Sequence, residues 1–174
     1  MINRMQSDSD KNPLRDEIFK LLSDKSTLTD DAETALLQCA SQIQNKRLLE
    51  RTAAECDLQL CGFLCDDVLE LYYNIKRGEQ GVGYISKGWE DSGFRVGELL
   101  KVPKTKGSSL KTHIFSLLKF CATCGVSVTF EEVNDAIEMQ MDSVIYSDGF
   151  NKQVFEQVLH YLNVCVDKVN AVIE

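Results

Sequence analysis

Cys121-Ala122-Thr123-Cys124 is the arrangement in this chain with the most evident chemistry. Two thiols at this spacing can close a redox disulfide or supply half of a zinc site. A redox pair of this kind follows a strand and opens a helix, and a zinc site needs a second pair of ligands. Here the motif falls at the C-terminal end of an apolar helical pattern, just before Gly125. Cys56, Cys61 and Cys65 are spaced by helix geometry, and the two histidines, His113 and His160, are far apart. These spacings predict small apolar core residues, with no metal and no other cofactor. His113 has Thr112 and Ser116 nearby but no acidic partner one turn away. His160 follows Glu156 by four residues, which predicts a surface contact rather than a general base. Gly78, Gly81 and Gly83 lack the lysine spacing of a phosphate loop and predict plain loop flexibility. No turn presents a nucleophilic serine. The expectation is therefore a protein that is not an enzyme.

Composition narrows the partners. The chain has 174 residues, is 44% hydrophobic and carries a formal net charge of -8. A chain this apolar can bury a core, and its acidity disfavours direct contact with nucleic acid. No window reaches a membrane-spanning length, and the polar start, Met1 to Asp10, does not read as a signal peptide. Seven cysteines, an odd number without a secretory signal, predict reduced thiols in the nucleus or cytoplasm.

The elements that must position these residues read as helices. Asn12-Pro13 predicts a helix over about residues 13–24, with residues 1–11 disordered. Thr29 can cap a second helix, with Asp30, Asp31 and Glu33 in its first turn. Cys61, Leu64, Cys65, Val68, Tyr72 and Ile75 make one apolar stripe at spacings of three and four. A glycine-marked loop with Trp89 follows. Ser108 or Ser109 should cap a helix carrying Leu110, Ile114, Leu117, Leu118 and Cys121. Thr129 and Glu132 form a capping-box pattern before Val133, Ile137, Met141 and Val144. In the last helix Phe155, Val158, Leu162, Cys165, Val169 and Val172 form a heptad seam. Val154, Leu159, Tyr161 and Val166 widen that face, which favours packing inside a bundle; self-association through the seam is the alternative.

Between the loop and the capped helix lies Gly93-Phe94-Arg95-Val96-Gly97-Glu98-Leu99-Leu100-Lys101-Val102-Pro103-Lys104-Thr105-Lys106-Gly107-Ser108-Ser109-Leu110-Lys111. Lys101, Lys104, Lys106 and Lys111 are a local basic cluster on an acidic chain, a place to meet an acidic protein. The stretch resembles the signature of formin homology-2 domains. Gly93, Phe94, Arg95, Leu99, Lys101, Thr105, Lys106 and Lys111 fall on that pattern without a gap, and Val96, Val102 and Ile114 replace leucines. Two aspartates of the pattern become Lys104 and Ser109. The family's turn motif is replaced by Tyr72-Tyr73-Asn74-Ile75-Lys76-Arg77. No lasso or knob is found before Cys56. The resemblance implies an all-α chain, an elongated helical bundle like the post of that family, as a single reduced domain over 1–174. It implies a homodimer, a protein-interaction and self-association module within a larger regulatory protein of the transcriptional kind, without actin nucleation or polymerisation activity. The alternative it implies is an actin-binding domain that regulates filament assembly. Arg95 falls where some family members carry a basic actin-contacting residue.

Overall fold

In the middle of the chain burial follows a period of two. Leu71, Tyr73 and Ile75 are buried while Tyr72 and Asn74 between them are exposed. Ile137, Met139 and Met141 are buried, with the polar Glu138 and Gln140 interleaved. Alternation of this kind makes strands with one dry and one wet face. The computed structural model describes residues 20, 30–65, 70–88 and 91–173. Among them the order is α1 (Asp30–Glu55), β1 (Gln59–Cys65), β2 (Glu70–Arg77), β3 (Gln80–Lys87), β4 (Gly93–Pro103), α2 (Gly107–Thr123), β5 (Ser127–Val133), β6 (Ala136–Tyr146) and α3 (Lys152–Ile173). The strands form one six-stranded antiparallel sheet in the order β1-β2-β3-β4-β6-β5.

The all-α expectation is therefore corrected to a mixed α/β fold. The stripe from Cys61 to Ile75 is not one helix but β1 and β2, and its three-and-four spacing arises from counting across the break between two strands. The glycine-marked loop contains β3. It is joined to β2 by the two-residue turn Gly78-Glu79, with Gly78 at φ 60. The helix expected after Thr129 is the hairpin β5–β6, turned by Asn134-Asp135 with Asn134 at φ 35. Two-residue hairpins require such left-handed backbone, which glycine and asparagine tolerate.

The chain divides into two compact units, Met1–Ala40 and Ser41–Glu174. The sheet, α2 and α3 belong to the second. The predicted disorder over 1–11, the helix over 13–24 apart from residue 20, the Thr29 cap and Trp89 lie outside the described residues. In the second unit the dry face of the sheet carries Phe94, Val96 and Val102 from β4 and Ile137, Met139, Met141 and Ile145 from β6. Against it pack Phe155, Leu159, Leu162, Cys165 and Val169 of α3. The Phe150 ring sits 4.2 Å from Phe94 and 5.3 Å from Phe155, fastening α3 to β4. Leu110, Leu117 and Cys121 of α2 and Leu49 and Ala53 of α1 complete the core. α2 starts at Gly107 without a side-chain cap. Ser109, expected to cap it, donates instead to the Val172 carbonyl at 2.6 Å and ties α2 to the end of α3. Asn151 caps α3, accepting from the Val154 N–H at 3.1 Å. Among the described residues no helix is long and apolar enough to cross a membrane.

Candidate functional site

The wet face of the sheet is built by register. Because β4 and β6 pair from Gly93↔Tyr146 to Pro103↔Ala136, Arg95, Gly97, Leu99 and Lys101 share one face with Glu138, Gln140, Asp142, Val144 and Tyr146. Pairings Tyr84↔Gly97, Tyr72↔Ser86 and Ser127↔Asp142 extend that face across β3, β2 and β5.

A polar strip crosses its middle. Tyr72 and Tyr84 stack with ring centroids 5.6 Å apart. Gln140 donates from Nε2 to the Tyr84 hydroxyl at 2.8 Å and to Asp142 Oδ2 at 3.4 Å. Ser127 Oγ donates to Asp142 Oδ1 at 3.1 Å and lies 3.0 Å from the Asp142 carbonyl oxygen. Gly97 makes this strip possible. A Cβ there would stand 2.7 Å from the Tyr84 hydroxyl and 2.6 Å from the Met141 carbonyl oxygen, so the tyrosine ring crosses β4 where it has no side chain. Burial, with the Asp142 charge second, raises the Tyr84 phenol above its ordinary range, against the lowering by the Gln140 bond and Arg95.

Apolar groups stand at both ends of the strip. Val144 is 49% and Tyr146 63% exposed, and they line a shallow depression with Gly93 and Arg95. At the other end Leu99 is 47% exposed beside Thr129 and Gln140. Phe115 on the helix side is 86% exposed, but Lys111 and Lys119 flank it one turn away, and an isolated exposed apolar residue is ordinary.

The basic residues singled out from the sequence are not brought together. Arg95 is exposed on the wet face. Lys101 shares that face, six residues or about 20 Å further along β4, and holds Glu138 at 2.7 Å. Lys104 lies in the 3-10 turn after β4 and faces Glu132 at 3.8 Å. Lys106 ends that turn, and Lys111 is exposed on α2. Of the seam residues, Phe155, Leu162, Cys165 and Val169 are buried in the chain's own core, with Val158 and Val172 packed against it.

The histidines lie on α2 and α3, away from the wet face. Cys165 of α3 is within hydrogen-bonding reach of both Cys121 of α2 and Cys124 just after that helix. Burial, followed by these neighbours, holds the Cys165 thiol far above its ordinary range. Cys121 is likewise raised, chiefly by burial. Protonated, buried thiols are poor nucleophiles. Among the described residues no group of three His, Cys, Asp or Glu could hold a metal ion. Lys87 is buried on the dry side, where burial lowers its ammonium against the raising effect of Asp91. It donates to the Asp91 carbonyl and stands 5.5 Å from the Phe94 ring centre.

Sequence reasoning missed Tyr84, Gln140, Val144 and Tyr146. The signal was present in Ile137-Glu138-Met139-Gln140-Met141, whose strict alternation marks a two-faced strand.

Fold and surface together define a mixed α/β protein with helices against one face of an antiparallel sheet and the other face open. No family model, curated protein or solved structure matches the chain, and nothing identifies a formin homology-2 domain.

Proposed function

We propose that this chain is a protein-interaction module that associates with itself and does no chemistry of its own. The observation that supports an interaction module is the open face. It presents Tyr72, Leu99, Val144 and Tyr146 to solvent with Arg95 among them. Tyrosine and arginine supply much of the energy of protein interfaces. Buried apolar area contributes about 25 cal/mol per Å². The polar strip satisfies its own hydrogen bonds, so covering it leaves few orphaned groups. The depressions here are shallow, a shape that suits a protein surface better than a small substrate. Contact with actin through the basic residues is not carried further, because Lys101 and Lys104 already face Glu138 and Glu132.

Two measurements test the reading. Sedimentation velocity from 1 to 100 μM (on the order of usual interface affinities) should show reversible, concentration-dependent association. A photo-reactive phenylalanine at position 146 or 99 should cross-link to protein in cells, and the same group at position 115 should not. A strict monomer overturns the self-association, and equal labelling at 115 and 146 overturns the open face as the contact surface.

A further inference from the structure

The sheet has two edges of opposite character. At one edge β5 carries Glu131 and Glu132, and Lys104 faces Glu132 at 3.8 Å. Charges of this kind blunt an edge, since a second copy would set carboxylate against carboxylate. At the other edge stands β1, Gln59-Leu60-Cys61-Gly62-Phe63-Leu64-Cys65. It has no charge and no proline. Its seven residues pair with β2 without a register shift, from Gln59↔Lys76 to Cys65↔Glu70, so no bulge twists it away. Every second residue of such a strand turns its N–H and C=O outward, away from β2. Cys61 and Gly62 at its centre are exposed. Among the described residues none of the usual protections is found at this edge, and the outward backbone groups form a template for another strand.

We propose that two copies of the chain pair through β1, antiparallel, about a two-fold axis perpendicular to the sheet. The inference rests on the reading that the chain self-associates, and names the surface that does it. Charge supports both the partner and the direction. Each chain carries a formal net charge of -8, so copies repel in general, and an uncharged strand adds no like-charge contact along the join. On β2, Glu70 marks one end of the edge and Lys76 and Arg77 the other. Antiparallel pairing brings the basic end of one copy beside the acidic end of the other, whereas parallel pairing would set like against like. Such an axis is self-complementary, as closed dimers require.

The geometry has a consequence for the open face. A two-fold axis perpendicular to the sheet keeps both wet faces on one side. The two sheets then run on as one, with the two Tyr72–Tyr84 stacks on a shared surface. Three strand spacings, roughly 14 Å, separate Tyr72 from its counterpart. A partner meets twice the apolar area that one copy offers.

Cys61 reads out the pairing. In a pairing centred on Gly62, the middle of the strand, or on Cys61 itself, its two copies lie on the same face, diagonal or opposite to one another, within about 8 Å. The full chain carrying Cys39→Ser is treated with a short thiol-to-thiol bismaleimide and mapped by mass spectrometry. A Cys61–Cys61 link is expected. Sedimentation of Cys61→Lys should show association weakened about ten-fold or more by like charge at the axis, with circular dichroism unchanged and Cys61→Ser still dimeric. Cys61→Glu, which also sets like charge against like at the axis, serves as the second variant should Cys61→Lys not fold. Persistent dimer in these charged variants without a Cys61–Cys61 link in the chain that keeps Cys61 overturns the β1 pairing and leaves self-association standing. A wild-type chain that stays monomeric overturns both.

Discussion

Phe155→Ala separates a seam that joins copies from a seam that holds one copy together. Phe155 is fully buried, and its ring lies 5.3 Å from Phe150, which in turn lies 4.2 Å from Phe94 on β4. Truncating a buried phenylalanine costs about 3–5 kcal/mol. Ring-to-ring contact accounts for about 0.5–1.5 kcal/mol of that. Domains are stable by about 5–15 kcal/mol, so the loss is a large share of the whole. At roughly 2–4 °C per kcal/mol for chains near this size, the melting midpoint should fall by about 6–20 °C. The assay is thermal and urea unfolding at two protein concentrations a hundred-fold apart, a spread chosen because mass action acts only on contacts between copies. The loss should be equal at both concentrations. An unchanged midpoint in dilute protein, with a deficit that grows on concentration, would refute the intramolecular assignment. Val158→Ala, half-buried in the same stripe, should lose about 1 kcal/mol and keeps the test open if the larger truncation prevents folding.

Two further outcomes follow from single groups. Gly97→Ala should destabilise by about 1–3 kcal/mol, because its Cβ would meet the Met141 carbonyl oxygen at 2.6 Å and the Tyr84 hydroxyl at 2.7 Å. Near-ultraviolet circular dichroism should report the displaced tyrosine, and an unperturbed spectrum with wild-type stability would show that the ring does not cross β4. Glu98 is held above the ordinary carboxylate range by burial. Its protonated form is therefore favoured in the folded chain. That stability is fully present below the unfolded value, about 4.3, and is lost as pH rises through the folded value. Glu98→Gln should accordingly melt higher than wild type at pH 7 and converge with it near pH 4 or below, on the carboxylate scale; a difference that is constant with pH would contradict this.

The sequence made part of this fold legible. Leu110, Leu117 and Cys121 mark α2, the Phe155-to-Val172 periodicity marks α3, and Gly125 marks the end of α2, because helices with one buried face show it in their spacing. The strands were hidden by a different physics. In Cys61 to Ile75 apolar residues are so frequent that some subset always fits a helical spacing, and only the break between β1 and β2 distinguishes two strands from one helix. Val133, Ile137, Met141 and Val144 fit a helical stripe as well. Yet Val144 faces water while Met139, skipped by that stripe, is fully buried. Buried alternation, not the count of apolar residues, carries the information. The surface was legible at Arg95 and Lys101, which do share the open face. Its apolar members were not, because they come from β4 and β6 and meet only through the register of a sheet.

The stretch from Gly93 to Lys101 shows why a pattern match could point to another architecture. Its features are a glycine, an aromatic and spaced aliphatics, and these suit a turn before a helix. In this chain they serve a strand. Phe94, Val96 and Val102 line the dry face, Arg95, Leu99 and Lys101 the wet one, and Gly97 is the gap that Tyr84 crosses. On the proposed reading, that crossing shapes how the open face would bind a partner. Since Tyr84, Gln140, Asp142 and Ser127 already hydrogen-bond one another, a partner gains little by offering donors or acceptors to them. Its affinity must come from covering Val144, Tyr146 and Leu99 at the two ends. Salt should therefore weaken binding to this face only modestly, because little of the energy comes from exposed charge pairs.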